Sequence, residues 1–157
     1  GIKTNDSRFV DAGDFKCKVS TIKGTWKYLM KEDITVSDKH KNTFNKYKVS
    51  IPSAYGEGND YFTSKDICVV NPGEFVNDSY VFFEFDDIVS SENFKKYFDL
   101  KLVNWFIKII KNKQHISKSI FKFVPVMNYN NLISDNDLYQ HLNLTNEEIT
   151  YINNKTI

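Results

Sequence analysis

The side chains that could do chemistry are most concentrated just after an apolar stretch near residue 110. Positive charges and amide or hydroxyl groups alternate there: Lys111, Asn112, Lys113, Gln114, Ser117 and Lys118. Lysine supplies charge for phosphates, whereas asparagine and glutamine pair with adenine edges and serine can contact either groove. The segment therefore favours nucleic-acid binding, with an ordinary solvated lysine-rich surface as the alternative.

Sequence signatures of catalysis are missing. The chain contains no phosphate-binding Gly-x-x-x-x-Gly-Lys-Ser/Thr loop and no Gly-x-Ser-x-Gly nucleophile turn. Cys17 and Cys68 lie far apart, without metal-ligand spacing, and three isolated histidines add no ligand set. We therefore predict no catalytic residue, no metal and no cofactor in this chain. Glu84, Asp86 and Asp87 leave a small Mg²⁺ nuclease as an alternative.

The charge is divided unevenly along the 157 residues, although the formal net charge is only +1. Residues 1–50 carry 11 Lys+Arg against 6 Asp+Glu, and residues 51–100 carry 3 against 10. Residues 101–122 carry six lysines and no acid, and residues 123–157 carry one lysine against four acids. Such blocks allow a face that binds a polyanion without a high isoelectric point.

The hydrophobic patterns predict an α+β fold, with a twisted antiparallel or mixed sheet, a central helix pair and small C-terminal helices. Strands are predicted at 15–19, 47–51, 80–85 and 120–125, and residues 26–29 and 67–70 form a further aromatic stretch and a short apolar run. Helices are predicted from Ser90 onward, along a stripe from Leu102 to Ile110, and after the caps Ser134 and Thr145. Residues 1–14 are predicted as a flexible lead-in and residues 15–157 as one domain. No apolar run of 18 residues occurs, so we expect no membrane partner.

Four segments, taken in order, resemble the C-terminal parts of adenine-specific restriction–modification methyltransferases. Residues 47–56 (YKVSIPSAYG) resemble the family's K-V-x-I-x-x-A-Y-G stretch, and residues 77–82 lie where the family has a Thr-Glu-Thr-Tyr-like strand start. Residues 105–125 resemble the F-x-F-L…T-Q-x-x-S-x-x-x-F-x-F-V-P segment, with Lys113 in place of the usual Thr. Residues 137–149 resemble the closing D-x-x-L-Y…L-T-x-E-E-I pattern. The likeness spans residues 47–152, about two-thirds of the chain.

This resemblance implies a target recognition domain, the part of such an enzyme that reads the DNA sequence. In this family, a separate domain binds S-adenosylmethionine and carries the catalytic motif. We therefore expect the chain to be a fragment of a longer, site-specific N6-adenine DNA methyltransferase or fused restriction–modification enzyme. Its expected partners are double-stranded DNA and an upstream methyltransferase domain, in the cytoplasm.

Eight residues are the predicted DNA contacts. The phosphate contacts are Lys48, Lys111, Lys113 and Lys118, and the base or groove contacts are Tyr55, Asn112, Gln114 and Ser117. The Tyr55–Gly58 loop and the Lys111–Ser119 segment are expected to face the duplex together. Two alternatives share some of these features: a specificity-subunit domain of a multisubunit restriction system, and a protein-interaction module that uses exposed aromatic residues.

Overall fold

The computed structural model describes residues 2–19, 25–54, 63–110 and 115–156. These ranges form two three-stranded sheets and a mainly helical C-terminal half. The strands are β1 (Phe15–Val19), β2 (Thr25–Leu29), β3 (Tyr47–Pro52), β4 (Cys68–Val70), β5 (Phe75–Val76) and β6 (Tyr80–Phe85). The helices are α1 (Asp38–Phe44), α2 (Ile88–Tyr97), α3 (Lys101–Ile110), α4 (Asp135–His141) and α5 (Asn146–Lys155). The predicted α+β class is confirmed, with the strands divided between two sheets.

The first sheet has the order β2-β1-β5, with β1 antiparallel to β2 and parallel to β5. Residues 2–14, predicted as a flexible lead-in, make defined contacts with this sheet. Val10 exchanges two backbone hydrogen bonds with Tyr28, at 3.0 and 3.2 Å. A Cβ atom at Gly13 would lie 2.9 Å from the Leu29 carbonyl oxygen, so this close approach requires glycine.

The second sheet has the order β4-β3-β6 and is antiparallel throughout. Successive side chains of the central strand β3 point to opposite faces. Val49 and Ile51, which pair with Phe83 and Val81, belong to the main core beside the helices. Lys48, which pairs with Glu84, lies on the opposite face, toward the first sheet.

The central helix pair is confirmed, and it packs on this second sheet. Phe94 and Phe98 of the α2 region and Leu102 of α3 are buried in one cluster with Val49. Helix α2 begins earlier than the sequence predicted, because Asp87 is its cap. The Asp87 carboxylate accepts a 2.7 Å hydrogen bond from the Ser90 N–H.

The buried face of α3 differs from the predicted stripe. Val103 and Ile107 are buried, whereas Ile109, a member of the stripe, is 59% exposed. The polar residues Lys101, Asn104 and Lys108 share one side of this helix, but Asn104 is buried because its side-chain amide donates to the Phe98 and Leu100 carbonyls. Packing against α5 and the turn after residue 119 decides which side is buried.

The strand predicted at 120–125 is wrong, since Ile120–Phe123 form a 3-10 turn. An extended strand would place Lys122 on the same face as Ile120 and Val124. The helical turn buries Ile120 and Val124 and leaves Lys122 exposed. Phe121 then packs its ring edge-to-face on Phe83, at 5.0 Å between centroids.

The two short C-terminal helices and their predicted caps are confirmed. Ser134 and Asp137 form a reciprocal capping box at α4, and Thr145 and Glu148 form one at α5. Among the described residues, no helix is long and apolar enough to cross a membrane.

Candidate nucleic-acid interface

The segment from residue 115 to 119 is attached to the end of strand β3. His115 forms an isolated antiparallel bridge with Ala54, and the Ile116 N–H donates to the Ser53 carbonyl at 2.8 Å. The Ile116 side chain is only 1% exposed and belongs to the main core. One residue of this segment is therefore buried as an anchor, while its neighbours remain at the surface.

Lys118 lies at the surface beside this anchor. Its Nζ atom is 5.5 Å from the centroid of the Phe82 ring, within the range of a cation–π interaction. Ser117 is half-buried, and its hydroxyl is 2.6 Å from that of Ser119. The ammonium of Lys118 is thus held over a strand residue while its charge stays accessible to a phosphate.

The backbone of neighbouring strands completes this surface. The Ser53 N–H donates to the Ser79 carbonyl at 2.8 Å, which joins the end of β3 to the residue before β6. The hydroxyl of Ser79 lies 2.8 Å from that of Thr4. Residues from four distant parts of the chain therefore meet around the Ala54–His115 bridge. We call the surface formed by residues 53–54, Ser79, Phe82 and 115–119 the bridge surface.

Five of the eight predicted contact residues lie outside the described residues: Tyr55, Lys111, Asn112, Lys113 and Gln114. Tyr55 directly follows Ala54 in the sequence, and Gln114 directly precedes His115. The described part of the chain brings together Ser117 and Lys118 of the predicted set. Lys48 lies elsewhere.

Lys48, which the sequence predicted as a phosphate contact, is buried in the structure. Only 3% of the residue is exposed, and its Nζ atom donates to the carbonyl oxygens of Thr43, Phe44 and Lys46, at 3.3, 3.3 and 2.7 Å. These carbonyls lie at and just after the C-terminal end of α1, where a helix leaves acceptors without intrahelical partners. The ammonium is therefore used inside the molecule to hold the connection from α1 to β3.

Burial lowers the pKa of Lys48 to about 8, although the nearby carboxylates of Glu74 and Glu84 act in the opposite direction. At neutral pH the amine is still protonated, in agreement with three hydrogen bonds donated to three carbonyls. The sequence alone could not reveal this role, because the lysine alternates with apolar residues as a solvent-facing lysine would.

The three acidic residues of the nuclease alternative each interact with a different partner within the protein. Glu84 accepts a 2.7 Å hydrogen bond from the Thr43 hydroxyl, Asp86 pairs with Lys46 at 2.8 Å, and Asp87 caps α2. Within the described ranges, no three His, Cys, Asp or Glu side chains group in a way that could hold a metal ion. The structure gives this alternative no support.

A cavity of about 460 Å³ lies between the two sheets. Its walls include Phe44, Phe75 and Phe82, and Arg8 and Lys48 contribute to its lining. Sequence reasoning missed it because its residues come from five separated segments and carry no shared motif. Tertiary packing alone brings them together.

Comparison of the chain with protein-family models, curated proteins and solved structures found no match. Function is therefore inferred from the residues and their geometry.

Proposed function

We propose that this chain binds double-stranded DNA as the target recognition domain of an N6-adenine DNA methyltransferase or fused restriction–modification enzyme. The observation that carries this proposal is the bridge between Ala54 and His115. The two segments predicted to contact DNA, one beginning at Tyr55 and one ending at Ser119, both adjoin that bridge in the sequence. A single duplex could therefore contact both.

The roles within this surface follow from residue chemistry. Lys118 contacts a phosphate, and its position over Phe82 restricts the directions in which its charge can point. Lys111 and Lys113 add further phosphate contacts, which set the position of the protein on the duplex. Tyr55, Asn112, Gln114 and Ser117 contact the grooves, where the donor and acceptor patterns of the bases are accessible.

The methyl transfer itself belongs to another domain in this proposal. An upstream methyltransferase domain binds S-adenosylmethionine and carries the catalytic residues, and the parent enzyme works in the cytoplasm. The chain described here supplies DNA affinity and sequence preference. We assign it no catalytic residue.

The test is fluorescence anisotropy of the chain with a labelled randomised duplex at several salt concentrations. Neutralisation of three phosphates by Lys111, Lys113 and Lys118 predicts a slope of log affinity against log salt of about −2.7. Replacing all three with Glu abolishes binding in this account. Lys31→Glu is the matched control, because Lys31 is an exposed lysine next to the first sheet. The proposal fails if the wild-type chain does not bind at low salt, or if both variants lose affinity equally.

Exposed apolar side chains support a protein-interaction module as a second candidate. Phe123 and Val126 are 61% and 81% exposed, and Val89 is 57% exposed. Large exposed apolar groups favour protein contacts when they form a continuous patch. Association with a protein partner that is insensitive to salt would favour this candidate over DNA binding. The specificity-subunit alternative shares the DNA-binding role, and the described helices, none above ten residues, include no long spacer.

A further inference from the structure

The cavity between the two sheets has the size and lining of a ligand site. Its volume of about 460 Å³ falls within the range typical of small-molecule pockets. Phe44, Phe75 and Phe82 each line it, and each is only half-buried. Their rings therefore keep free surface that a flat ligand could cover.

Two of these rings form a fixed wall. Phe44 and Phe75 lie 4.9 Å apart between centroids, with 37° between their planes. Phe15 packs edge-to-face against both, at 5.7 and 5.6 Å, and is not part of the lining. Phe82 belongs to the second sheet and lines the same cavity separately. Such preorganised rings favour an aromatic occupant.

The polar groups of the lining offer donors and an acceptor. Arg8 uses three N–H groups, two toward Asp6 and one toward the Asp33 carbonyl, and its other two have no partner among the described residues. Nδ1 of His40 is hydrogen-bonded to the Ser37 hydroxyl, so its Nε2 atom is the ring nitrogen that can bond to a ligand. One carboxylate oxygen of Glu74 accepts hydrogen bonds from Asn71, and the other oxygen can accept one from a ligand.

The two cationic side chains of this lining, Arg8 and Lys48, are each engaged within the protein. Arg8 is paired with Asp6 at 2.8 Å, and the Lys48 ammonium is directed to three carbonyls near Glu74 and Glu84. Because both cations already have partners, the described lining does not favour a phosphate or carboxylate. The lining therefore suits an uncharged ring with hydrogen-bonding edges.

We propose that this cavity binds a flat heteroaromatic ring of the nucleobase class. The ring stacks against the phenylalanine side chains, and its edge bonds to Arg8, His40 or Glu74. Two sources supply this chemistry: a free nucleoside or nucleotide, or an unstacked base of a bound nucleic acid. The cavity shares Phe82 with the bridge surface, whereas its other lining residues lie outside that surface and do not depend on the DNA-binding role of Lys118.

The experiment is a ¹H–¹⁵N NMR titration of the chain with adenosine, guanosine, cytidine and thymidine, with ribose and L-phenylalanine as control ligands. We expect at least one nucleoside to shift the amides of residues 40–44, Phe75 and Phe82, and ribose to shift none. Phe82→Leu weakens that binding about tenfold, the loss expected for one base–aromatic stacking contact. Phe123→Leu is the matched control, since Phe123 is exposed and outside the cavity lining.

His40→Ala is a second variant, chosen because His40 is exposed and its loss spares the core. It weakens nucleoside binding about threefold through one lost hydrogen bond. A second arm compares a fully paired duplex with one that carries a single unpaired base. Free nucleoside binding identifies the first source, and tighter binding of the unpaired-base duplex alone identifies the second.

The proposal is overturned if neither arm gives binding, or if Phe82→Leu and His40→Ala bind as the wild type does. Failure of DNA binding is distinguishable, because it is measured on the fully paired duplex and depends on Lys118.

Discussion

His115 pairs with Ala54 through the backbone, although 60 intervening residues separate them in the sequence. The neighbouring hydrogen bond, from the Ile116 N–H to the Ser53 carbonyl, extends the contact by one residue on each side. This pairing places residues 115–119 beside the end of β3. It is the structural basis of the bridge surface.

The first prediction concerns the anchor of that surface. Ile116→Ala removes buried atoms from the main core, and we expect the free energy of unfolding to fall by about 2–5 kcal/mol. Urea denaturation followed by circular dichroism measures the change. Ile88→Ala is the control, because Ile88 is 42% exposed and its truncation costs about 0.5 kcal/mol or less. Equal losses in the two variants would contradict the anchoring role.

A second prediction separates the role of Lys48 from that of the DNA-facing lysines. Lys48→Met keeps the apolar stem but leaves three carbonyls without their ammonium donor. Two of these carbonyls keep backbone donors, from Lys46 and Gly73, so we expect a loss of about 1 kcal/mol in the free energy of unfolding and no change in DNA affinity of the folded chain. Lys31→Met is the control for removal of an exposed lysine. Lower DNA affinity with unchanged stability would restore Lys48 as a phosphate contact.

The third prediction is the pH dependence of Lys48. Its folded pKa is lowered to about 8, whereas the ordinary value is 10.5. Between these values the unfolded chain binds more protons than the folded chain, so the contribution of Lys48 to stability rises with pH. Wild type should therefore gain stability relative to Lys48→Met as the pH rises from about 7 to about 9.5. A constant difference, with a titration of the Lys48 side chain near its ordinary pKa, would exclude the lowered value.

Structural features that depend only on residues close together in the sequence were predicted well. Ser134 with Asp137 and Thr145 with Glu148 need only neighbours within one helical turn, and both capping boxes are present. Strand β6 has a dense run of aromatic and β-branched residues, and it forms as predicted.

Features that depend on distant packing could not be predicted in the same way. Residues 120–123 alternate like a strand, yet the burial of Ile120 with Val124 favours a helical turn. Lys48 has the sequence context of a surface lysine, and only the position of α1 reveals its carbonyl partners. The cavity lining includes residues from both sheets, so it forms only where the two sheets lie together. The bridge between Ala54 and His115 likewise has no local signature.

The fourth prediction concerns acid sensitivity at the first sheet. Asp6 accepts two 2.8 Å hydrogen bonds from the Arg8 side chain, and these hold the pKa of the carboxyl well below its ordinary value of 3.8. Because the folded pKa is depressed, the contribution of Asp6 is present above about pH 4 and is lost as the pH falls below it. Asp6→Asn should therefore show a smaller fall in melting temperature than wild type between about pH 5 and about pH 2.5. Asp11→Asn, at an exposed site, should follow the wild-type curve. If Asp6→Asn also follows it, the Arg8 pair does not govern this acid response.

The most direct test of the central claim is a ¹H–¹⁵N NMR map of the chain with a fully paired duplex at low salt. We expect amide shifts concentrated at Ser53, Ala54, Phe82 and residues 115–119, and their loss in Lys118→Glu. Shifts confined to the exposed apolar residues of the helical half, or no shifts at all, would contradict the claim that the bridge surface binds DNA.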